Sequence, residues 1–318
     1  MAQDAIFSQF YHVPNYLNPA LNGQFDGDFR INLIHRSQMI ALNSPLNYSA
    51  FSLDYNVPKF GGGFGFLGMR SNEGQSSYTR TTAVGIYSYS AQWDYAVLSF
   101  GLSAGIGNLR YDHDKDVFYD QFDENGKIEG GATNATFPTN NNRYYFDTGA
   151  GVNLVFHDAM VGLAFNHLNQ ADESFTNTKS KIPMRINAHA SYHFALDYYD
   201  QENGPALIPS IVYYKQFNIN SLSTGLQFKS KRVRIGGWYR NEFRQKESFV
   251  LSLSFDIFSR SDSYDKVRLG VSHDATLSKL GYSASGGSTE GALSWETRIR
   301  RNEGNSRESY GKRCFDFY

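Results

Sequence analysis

At 318 residues, with 30 Lys and Arg against 31 Asp and Glu, the chain carries a formal net charge of -1, which excludes the basic field that dominates nucleic-acid binding. Its single cysteine, Cys314, excludes an internal disulfide framework and a multi-cysteine metal site. No apolar run approaches the roughly 18 to 20 residues of a membrane helix and mean hydropathy is -0.48, but a transmembrane β-barrel also averages low because lipid-facing and lumen-facing side chains alternate.

The chain opens on FSQFYHVPNYLNPALNG, residues 7 to 23, which holds Phe7, Phe10, Tyr11 and Tyr16 with two prolines and no repeating apolar period. Strand patterns follow at 28 to 37, 46 to 56, 63 to 71 and 78 to 91. GGGFGFLG, at 61 to 68, runs into strand pattern with no helix to receive a phosphate and no Lys-Ser/Thr pair, so it is not a P-loop. The clearest alternation is LSFGLSAGI, where Leu98, Phe100, Leu102, Ala104 and Ile106 are separated only by Ser and Gly.

YDHDKD then places Asp112, Asp114 and Asp116 as an EF-hand loop opens, but Val117 stands where the turn needs glycine and Asp123 where it needs glutamate. A solvated acidic loop fits better. Strict alternation returns at 146 to 156, 184 to 194 and 249 to 257, with weaker strands at 159 to 167, 207 to 216, 219 to 228, 231 to 240, 265 to 273 and 290 to 300. The total is about 14.

Connection lengths carry independent information, since outer-membrane barrels alternate short periplasmic turns with long external loops. With a periplasmic start, the long connections near 110 to 143, 168 to 182 and 274 to 289 fall outside, and the turns at Gln92 to Tyr95, His157-Asp158 and Ser230-Lys231 fall inside. Asp197 to Pro205 is the exception, a long connection facing inward. A soluble sandwich alternates too, but the strand lengths and the pairs Tyr144-Tyr145, Tyr198-Tyr199 and Tyr213-Tyr214 favour a membrane barrel with aromatic girdles. The eight His show no H-E-x-x-H spacing, and no catalytic residue, cofactor or metal is expected.

QDAIFSQFYHVPNYLNPALNG, residues 3 to 23, resembles the opening signature of the PorP/SprF family of Bacteroidota outer-membrane proteins associated with type IX secretion. KVRLGVSHDATLSKLGYSASGGSTEGALSWETRIR is similar to that family's closing strand pair, with Asp274, Ser278, Leu280 and Gly291 in matching places, although Ser272-His273 and Ala292 to Trp295 depart from the usual residues. CFDFY resembles the Cys-x-x-Phe ends of many members. The resemblance implies a 14-stranded, non-enzymatic outer-membrane barrel that supports secretion or surface attachment of a large, gliding-type adhesin. Its implied partners are the adhesin, the type IX translocon and its accessory outer-membrane proteins, and periplasmic ring or lipoprotein components, besides membrane lipid. A FadL-like transporter of hydrophobic substrates and a plugged porin stay open as alternatives.

Met1-Ala2 is too short for a secretory signal, so a mature form is expected. The expected organisation is an N-terminal periplasmic or plug segment (1–25), an outer-membrane barrel (26–300) and a C-terminal periplasmic tail or terminal strand (301–318). The first segment is expected to enter the lumen from the periplasmic side. Phe7, Phe10, Tyr11 and Tyr16, with Asn18 and Pro19, would then contact inner-wall positions such as the Gly and Ser face of 98 to 106, and Pro14 and Pro19 would keep it extended. Cys314, Phe315, Phe317 and Tyr318 would dock on a partner or serve as an insertion signal.

Overall fold

The computed structural model describes residues 4–298 except 26, 42–44, 58–60, 74–77, 113–115, 117, 124–132, 135–140, 176–178, 198–203, 244–246, 260–264 and 278–281. Fourteen strands follow the N-terminal segment: β1 (Phe29–Gln38), β2 (Leu46–Val57), β3 (Gly62–Glu73), β4 (Tyr78–Trp93), β5 (Ala96–Tyr111), β6 (Asn142–Phe156) and β7 (Ala159–Asn166), then β8 (Arg185–Tyr192, resumed at Phe194–Ala195), β9 (Ala206–Gln216), β10 (Ile219–Lys229), β11 (Val233–Asn241), β12 (Glu247–Ser259), β13 (Lys266–Thr276) and β14 (Ser288–Thr297). Each pairs antiparallel with its neighbours in sequence. β1 also pairs with β14, from Phe29 opposite Thr297 to Gln38 opposite Ser288, which closes the sheet and leaves no free edge.

The alternation explains the closure. On β5, Phe100, Leu102 and Ile106 point outward and are exposed while Ser99 and Gly101 point inward and are buried. Leu251 on β12 is 72% exposed, an arrangement unfavourable in water but suited to lipid. The inner face is polar: β1 turns Arg30, Asn32 and Arg36 inward, and β8 turns Arg185, Asn187, His189 and Ser191 inward. A soluble sandwich would bury the apolar face. Here every described strand belongs to one closed sheet with that face outside.

Two-residue turns join β4 to β5 and β6 to β7 at one end, where Trp93, Tyr95, Phe156 and Phe194 are exposed. The connections after β5, β7 and β13 lie at the other end, with Tyr144, Phe217 and Phe243 exposed there. These ends are the periplasmic and extracellular ends by the loop-length rule. The tandem tyrosines do not both join the girdles: Tyr144 is exposed, but Tyr145 and Tyr214 face inward and are buried, because successive strand residues point to opposite faces. Tyr198-Tyr199 lies outside the described residues.

Candidate functional site

The wall of a 14-stranded barrel encloses more space than its own side chains fill. Residues 4–25 occupy that space. They form a 3₁₀ turn at Phe10–His12, an α-helical turn at Pro14–Leu17 and a second 3₁₀ turn at Pro19–Leu21. Pro14 and Pro19 therefore do not keep the segment extended, as the sequence suggested. Each stands at the first position of a helical turn, where its missing N–H costs nothing and its fixed φ fits.

The course through the lumen is set by polar contacts with strands on all sides. Asp4 lies among residues of the extracellular end, pairing with His167 (2.7 Å), Arg185 (3.1 Å) and Arg80 (3.6 Å), and Arg80 also pairs with Glu173. From there the chain descends to Phe25, beside Arg30 at the periplasmic end, and enters β1. The segment thus crosses the whole barrel. The sequence-based expectation placed the segment in the lumen, entered from the periplasmic side; the segment fills the lumen from that mouth to the extracellular end.

Four residues, of which the sequence had singled out only Asp274, hold the segment near Ser8. The Glu290 carboxylate accepts the backbone N–H groups of Ser8 (2.6 Å) and Gln9 (2.9 Å). The Ser8 hydroxyl donates to Asp274 (2.8 Å) and accepts from Arg36 (3.0 Å) and Arg240 (2.8 Å), its full capacity of one donor and two acceptor sites. Arg36 pairs with Asp274 and Glu290, and Arg240 pairs with Asp274. Two guanidiniums and two carboxylates, all at most 6% exposed, are thereby balanced in charge. Their sequence signal was charge at inward-phase positions of alternating strands.

The expected aromatic residues are all buried in the lumen, though their partners differ from the expected wall. Phe10 meets Trp238 of β11 edge-on at 5.2 Å, and Phe7 meets Tyr16 at 5.4 Å. Tyr16 lies beneath the Arg185 guanidinium (4.1 Å), which also donates to the Tyr16 carbonyl (3.1 Å). Tyr11 packs with Phe10 and the apolar cluster that includes Leu17, Val97 and Met160. On the Gly and Ser face of β5 the ring against Gly107 belongs to Tyr145 of β6, and Gly101 meets backbone of the segment instead of one of its aromatics. Pro19 and Ala20 lie against Gly101 so closely that a Cβ there would collide with their backbone.

Asn18 fixes that approach. Its Oδ1 accepts the Ala20 N–H (2.9 Å) and its Nδ2 donates to the Val152 carbonyl (2.9 Å), so one side chain caps the last turn and ties it to β6. Lower down, Asn15 donates to Asp54 (2.9 Å), which also pairs with Arg30 (2.6 Å). A cavity of about 70 Å³ remains beside Asp4, Tyr16, Tyr145 and His167. Burial opposes charge on His167, but Asp4 and Asp147 on either side outweigh it and lift the imidazole to about 9. Among the described residues no group of three or more His, Cys, Asp or Glu could hold a metal ion. Cys314, Phe315, Phe317 and Tyr318 lie outside the described residues.

A closed antiparallel sheet with an apolar exterior, aromatic rims and a polar, occupied interior defines a transmembrane β-barrel of the outer membrane. The model of the type IX secretion system membrane protein family PorP/SprF matches residues 1–294. The chain belongs to that family. No curated protein is significantly similar in sequence. Among solved structures, the chain is similar to a TodX deltaS2S3 mutant, a monoaromatic hydrocarbon channel (8% identity, 89% of this chain and 93% of that one, TM-score 0.49). It is also similar to Omp33 of Acinetobacter baumannii (7% identity, 86% and 98%, TM-score 0.45) and to a Pseudomonas aeruginosa FadL homologue (12% identity, 87% and 91%, TM-score 0.41).

Proposed function

We propose that this barrel serves type IX secretion as a non-enzymatic recognition component, supporting secretion or surface attachment of a large adhesin by binding the adhesin or the translocon. The observation that carries the reading is the occupied lumen. A barrel whose interior is tied to its own residues 4–25 offers partners its rims and loops rather than a wide conduit. In this reading residues 1–25 are the plug, 26–300 the barrel and 301–318 a periplasmic extension. Phe7, Phe10, Tyr11, Tyr16, Asn18 and Pro19 act by holding the plug in place, and the outer connections meet the adhesin or accessory outer-membrane proteins. Cys314, Phe315, Phe317 and Tyr318 meet periplasmic ring or lipoprotein components.

A FadL-like transporter or plugged porin would need a lumenal binding space of the usual ligand size, about 300 Å³ or more. The cavity beside Asp4 is about 70 Å³. Affinity purification of the tagged protein from native membranes, followed by mass spectrometry, tests the reading. Recovery of translocon subunits together with one large adhesin is the expected result. Recovery of neither, with a hydrophobic small molecule bound instead, would overturn it.

A further inference from the structure

The outer wall is not evenly apolar. Across β13, β14 and β1 to β4 lies a shallow groove of about 830 Å³, walled by outward-facing Leu33, Phe51, Phe66 and Leu293 and floored by Gly68 and Gly291. No heavy atom comes within 4 Å of where a Cβ on Gly291 would stand. A depression in a lipid-facing wall admits an acyl chain more closely than the flat surface beside it.

Towards the extracellular end the outward positions turn polar. Two residues beyond Gly68 on β3 stands Arg70, level in register with Ser49 of β2 and Thr81 of β4. Arg110 of β5 is level with Thr79 on the other side of β4. Two strand spacings and a two-residue step separate the arginines, about 12 Å. Both are exposed, and neither guanidinium has an ion pair or hydrogen bond among the described residues. That contrasts with Arg36, Arg185 and Arg240, each of which is paired inside the lumen.

An unpaired guanidinium beside hydrocarbon is stable where it reaches an anionic headgroup, and it grips phosphate through two parallel N–H donors. We infer that Arg70 and Arg110 bind the phosphorylated headgroup of an outer-leaflet lipid whose acyl chain lies in the groove over Gly68 and Gly291. The hydroxyls of Thr79 and Thr81, between the two arginines, supply further donors to the same headgroup.

The test uses purified full-length protein in detergent, with diphosphorylated lipid A and its dephosphorylated form as probes and native mass spectrometry as the readout. Wild type is expected to retain the phosphorylated form about tenfold better, and R70Q/R110Q to lose that preference while the protein stays folded. G291L, which fills the groove without touching the arginines, should weaken retention of both forms. Equal retention of the two forms by wild type, or an unchanged preference in R70Q/R110Q, would overturn the proposal. So would loss of a co-purified protein from R70Q/R110Q with lipid retention intact, since the arginines would then be docking a protein.

Discussion

Ser8 shows how much a single residue can organise inside a barrel. Its hydroxyl and N–H engage Asp274, Arg36, Arg240 and Glu290, which come from four different strands. Removing one charge from such a group leaves its partner buried and uncompensated. E290Q is therefore expected to lower stability by on the order of 3 kcal/mol and to loosen residues 4–25, read as a lower unfolding midpoint in detergent. His167 adds a pH dependence of definite sign. Its folded value of about 9 lies above the ordinary 6.5, so its contribution is complete below pH 6.5 and is lost as pH rises through 9. The stability gap between wild type and H167Q should thus shrink between pH 6 and pH 10, and a constant gap would show that the ion pairs with Asp4 and Asp147 do not stabilise the fold. Glycine gives a third test: G101V drives a side chain into Pro19 and should destabilise or displace the segment, whereas G237A, with nothing within 4 Å of its Cβ, should behave as wild type.

Among the elements, the strands were readable from sequence because lipid imposes a strict period of two. The apolar sets that begin at Leu98, Phe146, Met184 and Phe249 all lie on the outward phase of their strands. Closure could not be read from any one strand, because the β1–β14 pairing joins residues more than 200 positions apart. Residues 4–25 were legible as unusual but not in form. Their aromatics marked burial, yet short turns held by wall side chains have no period of their own, and the prolines fit either an extended or a helical first position. The charged residues that hold the segment were visible in the sequence as Arg36, Asp274 and Glu290, but their convergence depends on register. Asn18 is the element-scale test: N18A removes both the cap on Ala20 and the tie to Val152, and should raise protease access to the segment while the barrel stays intact. Unchanged access would mean that packing of Leu17 and Leu21 alone holds the turn.

At the scale of the whole molecule, the barrel is an inverted globule. Its exterior is apolar, and the polar inner wall is tied to the chain's own first residues through two ion-pair groups, one around Asp4 and one around Ser8. In the proposed function such a lumen is closed by recognition rather than by bulk, so changes at Glu290, Gly101 or Asn18 should all converge on the same opened state. Membership of the PorP/SprF family associates this barrel with type IX secretion, and the function proposed above holds that the occupied lumen is closed rather than a conduit. The most direct test of that claim is single-channel recording in a planar bilayer. Wild type should show no steady conductance, and protein lacking residues 4–20 should show a stable open channel. Open conductance in wild type, or a deletion variant that is folded and inserted yet still closed, would contradict the account.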